Sequence, residues 1–221
     1  MLEITHLNVW YGAAQALFDV SLTVGRGELV VLQGLNGAGK STLLQAIMGL
    51  SPHATGTSSY QNKSILGLEP HAIARLGLGY VPEDRRLFTG LTVQENLHIA
   101  ARAPLSGQAN GNAPSIHAQQ ERVLALFPTL KTMLGRKAAH MSGGEQQMLS
   151  IARTLMTSPA LLLLDEPCEG IAPVLVEAIR DALLQLKGEG MPMLVAEQNA
   201  ILSSRADRVI TLVAGQIATT P

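Results

Sequence analysis

The sequence predicts an α/β fold in which a mostly parallel sheet is covered by helices on both faces. Hydrophobic residues make up 47% of the 221 residues but aromatic residues only 3%, so the apolar content is aliphatic, as in buried parallel strands. Short apolar runs alternate along the chain with segments of helical spacing, and a glycine-rich loop separates one run from the next helix. The length suits a single domain spanning residues 1–221.

The amino-terminal segment predicts a different arrangement, an antiparallel strand pair that forms a small β subdomain. Residues 2–9 and 16–24 alternate apolar and polar side chains, and Gly25, Arg26 and Gly27 supply a turn. Short apolar runs then predict the buried strands at residues 28–33, 76–81, 160–164, 193–196 and 208–213. Helical spacing predicts helices at residues 41–50, 145–156 and 175–186.

Residues from about 85 to 142 interrupt this alternation, and we interpret them as a helical subdomain inserted into the α/β core. Within it, residues 103–117 are rich in proline, glycine, serine and asparagine and show no periodicity. Such turn chemistry predicts a mobile surface loop.

Composition excludes several classes of protein. There are 16 basic and 17 acidic residues, a net charge of −1, which disfavours broad nucleic-acid binding because that needs a surplus of cations. No apolar run approaches the roughly 18–20 residues needed to span a bilayer, so we do not expect a channel or permease. The single cysteine, Cys168, excludes an intramolecular disulfide and suits a reducing cytosol. The six histidines are scattered without metal-ligand spacing.

Residues 34–42 match the phosphate-binding pattern G-x-x-x-x-G-K-[ST], between an apolar strand and a helix. The glycines let successive N–H groups face a phosphate, and the helix N-terminus adds its dipole. Lys40 is expected to reach the β- and γ-phosphates of ATP, and Ser41 to coordinate Mg²⁺. The alternative is a glycine-rich turn that binds nothing. The expected nucleotide contacts in this loop are Asn36, Gly37, Ala38, Gly39, Lys40, Ser41 and Thr42.

Two carboxylates follow the four leucines at residues 161–164. Asp165 stands at the mouth of a buried strand, where a second contact to Mg²⁺, usually through water, is needed. Glu166 follows directly and is the candidate base for polarising the attacking water. The alternative for Glu166 is a surface acid after a strand.

Ser142, Gly143, Gly144 and Glu145 precede an amphipathic helix and form a capping-box pattern. A Ser-Gly-Gly helix N-terminus is also an anion site. Because the chain already has a phosphate loop, this second anion site can serve a nucleotide held by another subunit.

The ordered set of phosphate loop, Ser-Gly-Gly signature and apolar strand before Asp165 and Glu166 resembles the ATP-binding subunit of an ABC transporter. The resemblance implies a head-to-tail dimer in which each ATP lies between one subunit's phosphate loop and the other's signature. It implies a peripheral position at the cytoplasmic face of the inner membrane, on permease subunits served by an external solute-binding protein. Tyr11 matches the aromatic residue that stacks on adenine, although a half-buried strand tyrosine remains the alternative.

Three positions depart from the usual family pattern. Glu83 replaces the glutamine that contacts Mg²⁺, Ala172 replaces an aspartate, and Gln198 replaces the histidine that contacts the γ-phosphate. A polar strand-end residue is the alternative for Gln198. Together with residues 81–88 and 91–97, these departures resemble the shorter ATPase subunit of the branched-chain, or hydrophobic, amino acid uptake subfamily.

Other functions remain open at this stage. Urea and amide importers share the subfamily features, so they are the alternative cargo. A non-transport ABC ATPase of nucleic-acid or ribosome biology is a second alternative, although such proteins usually carry two cassettes or a coiled-coil insertion. A simple P-loop kinase is a third, but it leaves Ser142, Gly143 and Gly144 unexplained.

Overall fold

A computed structural model describes residues 1–101, 115–198 and 200–218. The strands are β1 (Leu2–Tyr11), β2 (Ala14–Val24), β3 (Leu29–Gln33), β4 (His53–Tyr60), β5 (Lys63–Ser64), β6 (Leu78–Val81), β7 (Leu161–Asp165), β8 (Met193–Ala196), β9 (Arg208–Val213) and β10 (Gln216–Ile217). The helices are α1 (Lys40–Ile47), α2 (Pro70–Arg75), α3 (Val93–Ala100), α4 (Ile116–Leu126), α5 (Pro128–Lys131), α6 (Gly143–Leu155), α7 (Pro173–Gly188) and α8 (Ala200–Ser203), with a 3₁₀ helix at Ala138–His140.

The central sheet has six strands in the order β10-β9-β3-β8-β7-β6. Neighbours from β9 to β6 are parallel, and β10 pairs antiparallel with β9. The prediction of a mostly parallel α/β sheet is therefore confirmed. Because parallel strands end at one edge of a sheet, the loops after β3, β6, β7 and β8 meet at that edge.

The second sheet is antiparallel, with the order β2-β1-β4-β5. The predicted pair of strands is present, but the sheet is larger than predicted because β4 and β5 extend it. Strand β4 reads HATGTSSY, a sequence without the regular apolar–polar alternation that signals a strand. Its pairing with β1 from Leu2–Tyr60 to Trp10–His53 determines its conformation.

Strand β3 divides the hydrophobic core into two parts. Val30 and Leu32 face the antiparallel sheet and α1, whereas Leu29 and Val31 face α6 and α7. Every residue of β7 is buried, as the apolar run predicted. The sheet is thus covered on both faces and holds the residues at its carboxyl edge on a rigid base.

Predicted ends of the elements differ from the observed ones by up to three residues. The largest difference is in α1, which was predicted to extend to residue 50 but ends at Ile47. Gly49 has φ +69°, and a Cβ there would lie 2.5 Å from the carbonyl oxygen of Leu68. The close approach of this neighbouring loop ends the helix.

Between β6 and α6, the described residues form α3, α4, α5 and the 3₁₀ helix, and α3 packs against α6. The boundaries of an inserted subdomain at about 85–142 stay a prediction. Of the predicted loop at 103–117, residues 103–114 lie outside the described residues. The prediction is wrong for residues 116 and 117, which begin α4 because the Ser115 side chain caps this helix by accepting a hydrogen bond from Ala118 N–H. No helix in the described ranges is long and apolar enough to cross a bilayer.

Candidate nucleotide-binding site

The phosphate loop connects β3 to α1 in the conformation that its glycines permit. Gly37 has φ +79° and Gly39, the residue before the helix, has φ +105°. A Cβ at Gly34 would lie 2.5 Å from the Leu212 carbonyl oxygen, so this position admits only glycine. The loop therefore wraps the N-terminus of α1, where unpaired N–H groups favour an anion.

Lys40 links the loop to the end of β7. Its side chain is 4% exposed, and its Nζ donates hydrogen bonds to the carbonyl oxygens of Gly34 (2.7 Å) and Leu35 (3.2 Å). Lys40 Nζ also lies 2.8 Å from Glu166 Oε1, an ion pair between two buried side chains. Without a nucleotide, the cation expected to bind phosphate is thus held by carbonyl oxygens and a carboxylate.

Asp165 is 1% exposed and lies beside Ser41. Ser41 Oγ donates to Asp165 Oδ1 (2.9 Å), and the Tyr80 hydroxyl donates to Oδ2 (3.2 Å). Burial raises the pKa of the Asp165 carboxyl above its ordinary value, and the charges of Glu83 and Glu166 add to this effect. A cation beside Asp165 would lower the pKa of this carboxyl again, because an opposite charge favours the ionised carboxylate.

The donors at this position fit Mg²⁺, which prefers oxygen ligands. Ser41 and Asp165 supply a hydroxyl and a carboxylate within hydrogen-bond distance of each other, and exposed Glu83 lines the same pocket. Among the described residues, no group of three or more His, Cys, Asp or Glu side chains could hold a metal ion.

Glu166 has an unusual backbone conformation, with φ +45°, and its side chain is buried. The N–H of Gln198 donates to Glu166 Oε2 (3.3 Å). Within the described part of the chain, no donor meets Glu166 Oε1 with hydrogen-bond geometry, so its contact with Lys40 is ionic. This oxygen can accept a proton from a water molecule, and a non-glycine residue at positive φ is typical of functional sites.

Gln198 lies at the mouth of the phosphate loop, where its Nε2 donates to Asn36 Oδ1 (2.6 Å). The structure brings six of the predicted site residues to a pocket of about 190 Å³. Its lining residues are Asn36, Gly37, Lys40, Ser41, Glu83, Glu166 and Glu169.

Tyr11 ends β1 and is 43% exposed, with its hydroxyl donating to Gln45 Oε1 (3.2 Å). Its exposed ring is available for stacking. Ala38 is buried and its N–H donates to the Leu35 carbonyl oxygen (3.1 Å), which fixes the turn of the loop. Thr42 lies in the first turn of α1.

The signature residues form the N-terminus of α6 and do not line that pocket. The capping box is confirmed, because Ser142 Oγ accepts from Glu145 N–H and Glu145 Oε2 accepts from Ser142 N–H. Gly144 also has a packing role, since a Cβ there would overlap the side chain of Leu175 on α7. A Cβ at Gly143 would lie 3.3 Å from the Arg85 guanidinium.

Glu197 is a site residue that the sequence analysis missed. It is 2% exposed, its Oε1 accepts from Gln198 N–H (2.9 Å) and its Oε2 accepts from Cys168 N–H (3.2 Å). The carboxylate thus joins the segment after β7 to the segment after β8. An acidic residue directly after an apolar strand, the signal that identified Asp165, was also present here.

The fold and this pocket are those of an ATP-binding cassette. The family described as ABC transporter matches residues 17–169, and the chain belongs to that family.

Among its relatives, the high-affinity branched-chain amino acid transport ATP-binding protein BraG of Pseudomonas aeruginosa is 43% identical, over 98% of this chain and 91% of that protein. The probable branched-chain amino acid transport ATP-binding protein LivF of Archaeoglobus fulgidus is 34% identical, over 99% and 90%. A solved structure of a dimeric bacterial ABC transporter cassette has a TM-score of 0.84 at 25% identity, over 99% and 97%. The resemblance found in the sequence is therefore confirmed.

Proposed function

We propose that this chain hydrolyses MgATP and thereby powers a membrane importer of branched-chain or other hydrophobic amino acids. The observation that carries the proposal is the convergence of Lys40, Ser41 and Glu166 on one pocket at the carboxyl edge of the sheet, with Asp165 hydrogen-bonded to Ser41. The two relatives named for branched-chain amino acid transport, each matched over nearly the whole chain, support the cargo.

Each residue has a distinct part in hydrolysis. The phosphate loop binds the β- and γ-phosphates through its N–H groups. The Lys40 ammonium group moves from the Gly34 and Leu35 carbonyl oxygens to the phosphates, and its ion pair with Glu166 breaks. Glu166 then accepts a proton from the attacking water through Oε1. Gln198 donates its amide N–H to the γ-phosphate, and Tyr11 stacks on adenine.

Ser41, Asp165 and Glu83 are the residues that would hold Mg²⁺. When bound, the ion neutralises charge on the β- and γ-phosphates. The buried carboxyl of Asp165 and its contact with Ser41 Oγ are the observations that favour this set.

A second ATPase subunit, identical or homologous, completes the site in a head-to-tail dimer. The signature at Ser142, Gly143 and Gly144 would then bind the nucleotide of the partner, since it does not line the pocket of its own chain. The dimer would sit on integral permease subunits at the cytoplasmic face of the inner membrane and respond to an external solute-binding protein. Nucleic acid is not an expected partner.

Reconstitution tests this proposal. The chain is assembled with its candidate permease subunits and partner cassette in liposomes, and ATP-dependent uptake of labelled leucine is measured with the solute-binding protein present. Leucine uptake and ATP hydrolysis should both be lost in Lys40→Ala, while the variant remains bound to the permease. Uptake of urea without leucine, or binding to ribosomes without a membrane partner, would refute the proposal.

A further inference from the structure

Tyr80 contacts the metal-binding aspartate from a neighbouring strand and has no part in the proposed hydrolysis. It lies on β6, opposite Leu163 of β7, and its hydroxyl donates to Asp165 Oδ2 (3.2 Å). The tyrosine hydroxyl carries the proton of this hydrogen bond, and the Asp165 carboxylate accepts it.

The two hydrogen bonds to Asp165 differ in what happens to them when Mg²⁺ binds. Ser41 Oγ now donates to Oδ1, but a serine that becomes a metal ligand turns its oxygen lone pair to the ion. Tyr80 is not one of the proposed metal ligands, so its hydrogen bond to Asp165 need not break. Its hydroxyl would continue to hold Oδ2 and so limit rotation of the carboxylate.

We propose that Tyr80 is a positioning residue that orients the Asp165 carboxylate for Mg²⁺. This inference rests on the proposed function of the site. Residues that hydrogen-bond to metal ligands typically change metal affinity or activity by about 10–100-fold when they are replaced. We expect an effect in the lower part of this range, because Tyr80→Phe removes one hydrogen bond and keeps the ring.

The test compares Tyr80→Phe with Tyr60→Phe in the full chain. Tyr60 of the antiparallel sheet is buried, and its hydroxyl accepts a hydrogen bond from Gln61 instead of donating to Asp165. Affinity for a fluorescent ATP analogue is measured with Mg²⁺ and with EDTA, together with the Mg²⁺ concentration at half-maximal hydrolysis in the assembled transporter.

Tyr80→Phe should raise the required Mg²⁺ concentration about 10-fold and weaken nucleotide binding in Mg²⁺, with unchanged binding in EDTA. Tyr60→Phe should match the native chain in all three measurements. If Tyr80→Phe weakens nucleotide binding equally with and without Mg²⁺, the role of Tyr80 is merely structural. Binding and Mg²⁺-dependence curves identical to those of the native chain would also overturn the inference. If nucleotide binding by the native chain does not depend on Mg²⁺, the proposed function itself is contradicted.

Discussion

Replacing Lys40 by methionine should destabilise the chain even when no nucleotide is present. The change removes the ammonium group from a pair whose side chains are only 4% and 5% exposed, and leaves the Glu166 carboxylate buried beside an apolar group. Removing one partner of a buried ion pair typically costs about 3–5 kcal/mol. We expect about 3 kcal/mol, at the lower end, because the pocket admits water and Gln198 N–H still donates to Glu166.

In a chain of this length, about 1 kcal/mol shifts the melting temperature by about 2–4 °C. Lys40→Met should therefore melt about 6–12 °C below the native chain in a calorimetric scan without nucleotide. The double variant Lys40→Met/Glu166→Gln should recover most of this loss, because a neutral amide costs far less to bury than an unpaired carboxylate.

Lys187→Met is the matched control. Lys187 Nζ also lies 2.8 Å from a carboxylate, that of Asp207, but these side chains are 25% and 43% exposed. An exposed pair contributes about 0–1 kcal/mol, so this variant should melt close to native. The reasoning is refuted if the double variant is as unstable as Lys40→Met, or if Lys40→Met and Lys187→Met lose equal stability.

Three further predictions concern turnover in the assembled transporter. Glu166→Gln should keep nucleotide binding while hydrolysis falls by a factor of about 10²–10⁴, and normal hydrolysis would remove Glu166 as the base. Ser142→Arg should reduce hydrolysis without changing the ATP affinity of the isolated chain. Its control, Ser115→Arg, removes the equivalent cap from α4, and a loss of affinity in Ser142→Arg alone would place the signature in its own chain's site. Gln198→Ala should lower turnover about 10–10³-fold. Gln198→His should restore turnover and add a pH dependence near neutrality, because imidazole has a pKa of about 6.5, whereas superimposable pH–rate profiles would exclude Gln198 from the mechanism.

The phosphate loop was predictable from sequence because its backbone needs positive φ angles, which glycine adopts without steric strain. Gly37 and Gly39 adopt positive φ, and the adjoining apolar strand and helix set the loop in place. Asp165 was predictable for a related reason, since the preceding leucines define a buried strand and a carboxylate at its end has few structural explanations. The order of these motifs along the chain then identified the family.

The hydrogen bonds around Asp165 were not predictable, because they join distant parts of the chain. Tyr80 and Asp165 are 85 residues apart, and Gln198 and Asn36 are 162 apart. No local pattern distinguishes Tyr80 from a tyrosine that fills the core. Strand β4 was missed for a different reason, since pairing with β1, and not its own sequence, makes it a strand.

The missing side chain at Gly144 also has an evolutionary consequence. Leu175 of α7 occupies the space that a Cβ at position 144 would need, so neither residue can change size freely while the other stays the same. Natural relatives with alanine or serine at position 144 should therefore carry a smaller residue at position 175. Co-variation between these positions would record the packing of α6 on α7 within one subunit, even though Gly144 belongs to a signature usually interpreted through the partner's nucleotide.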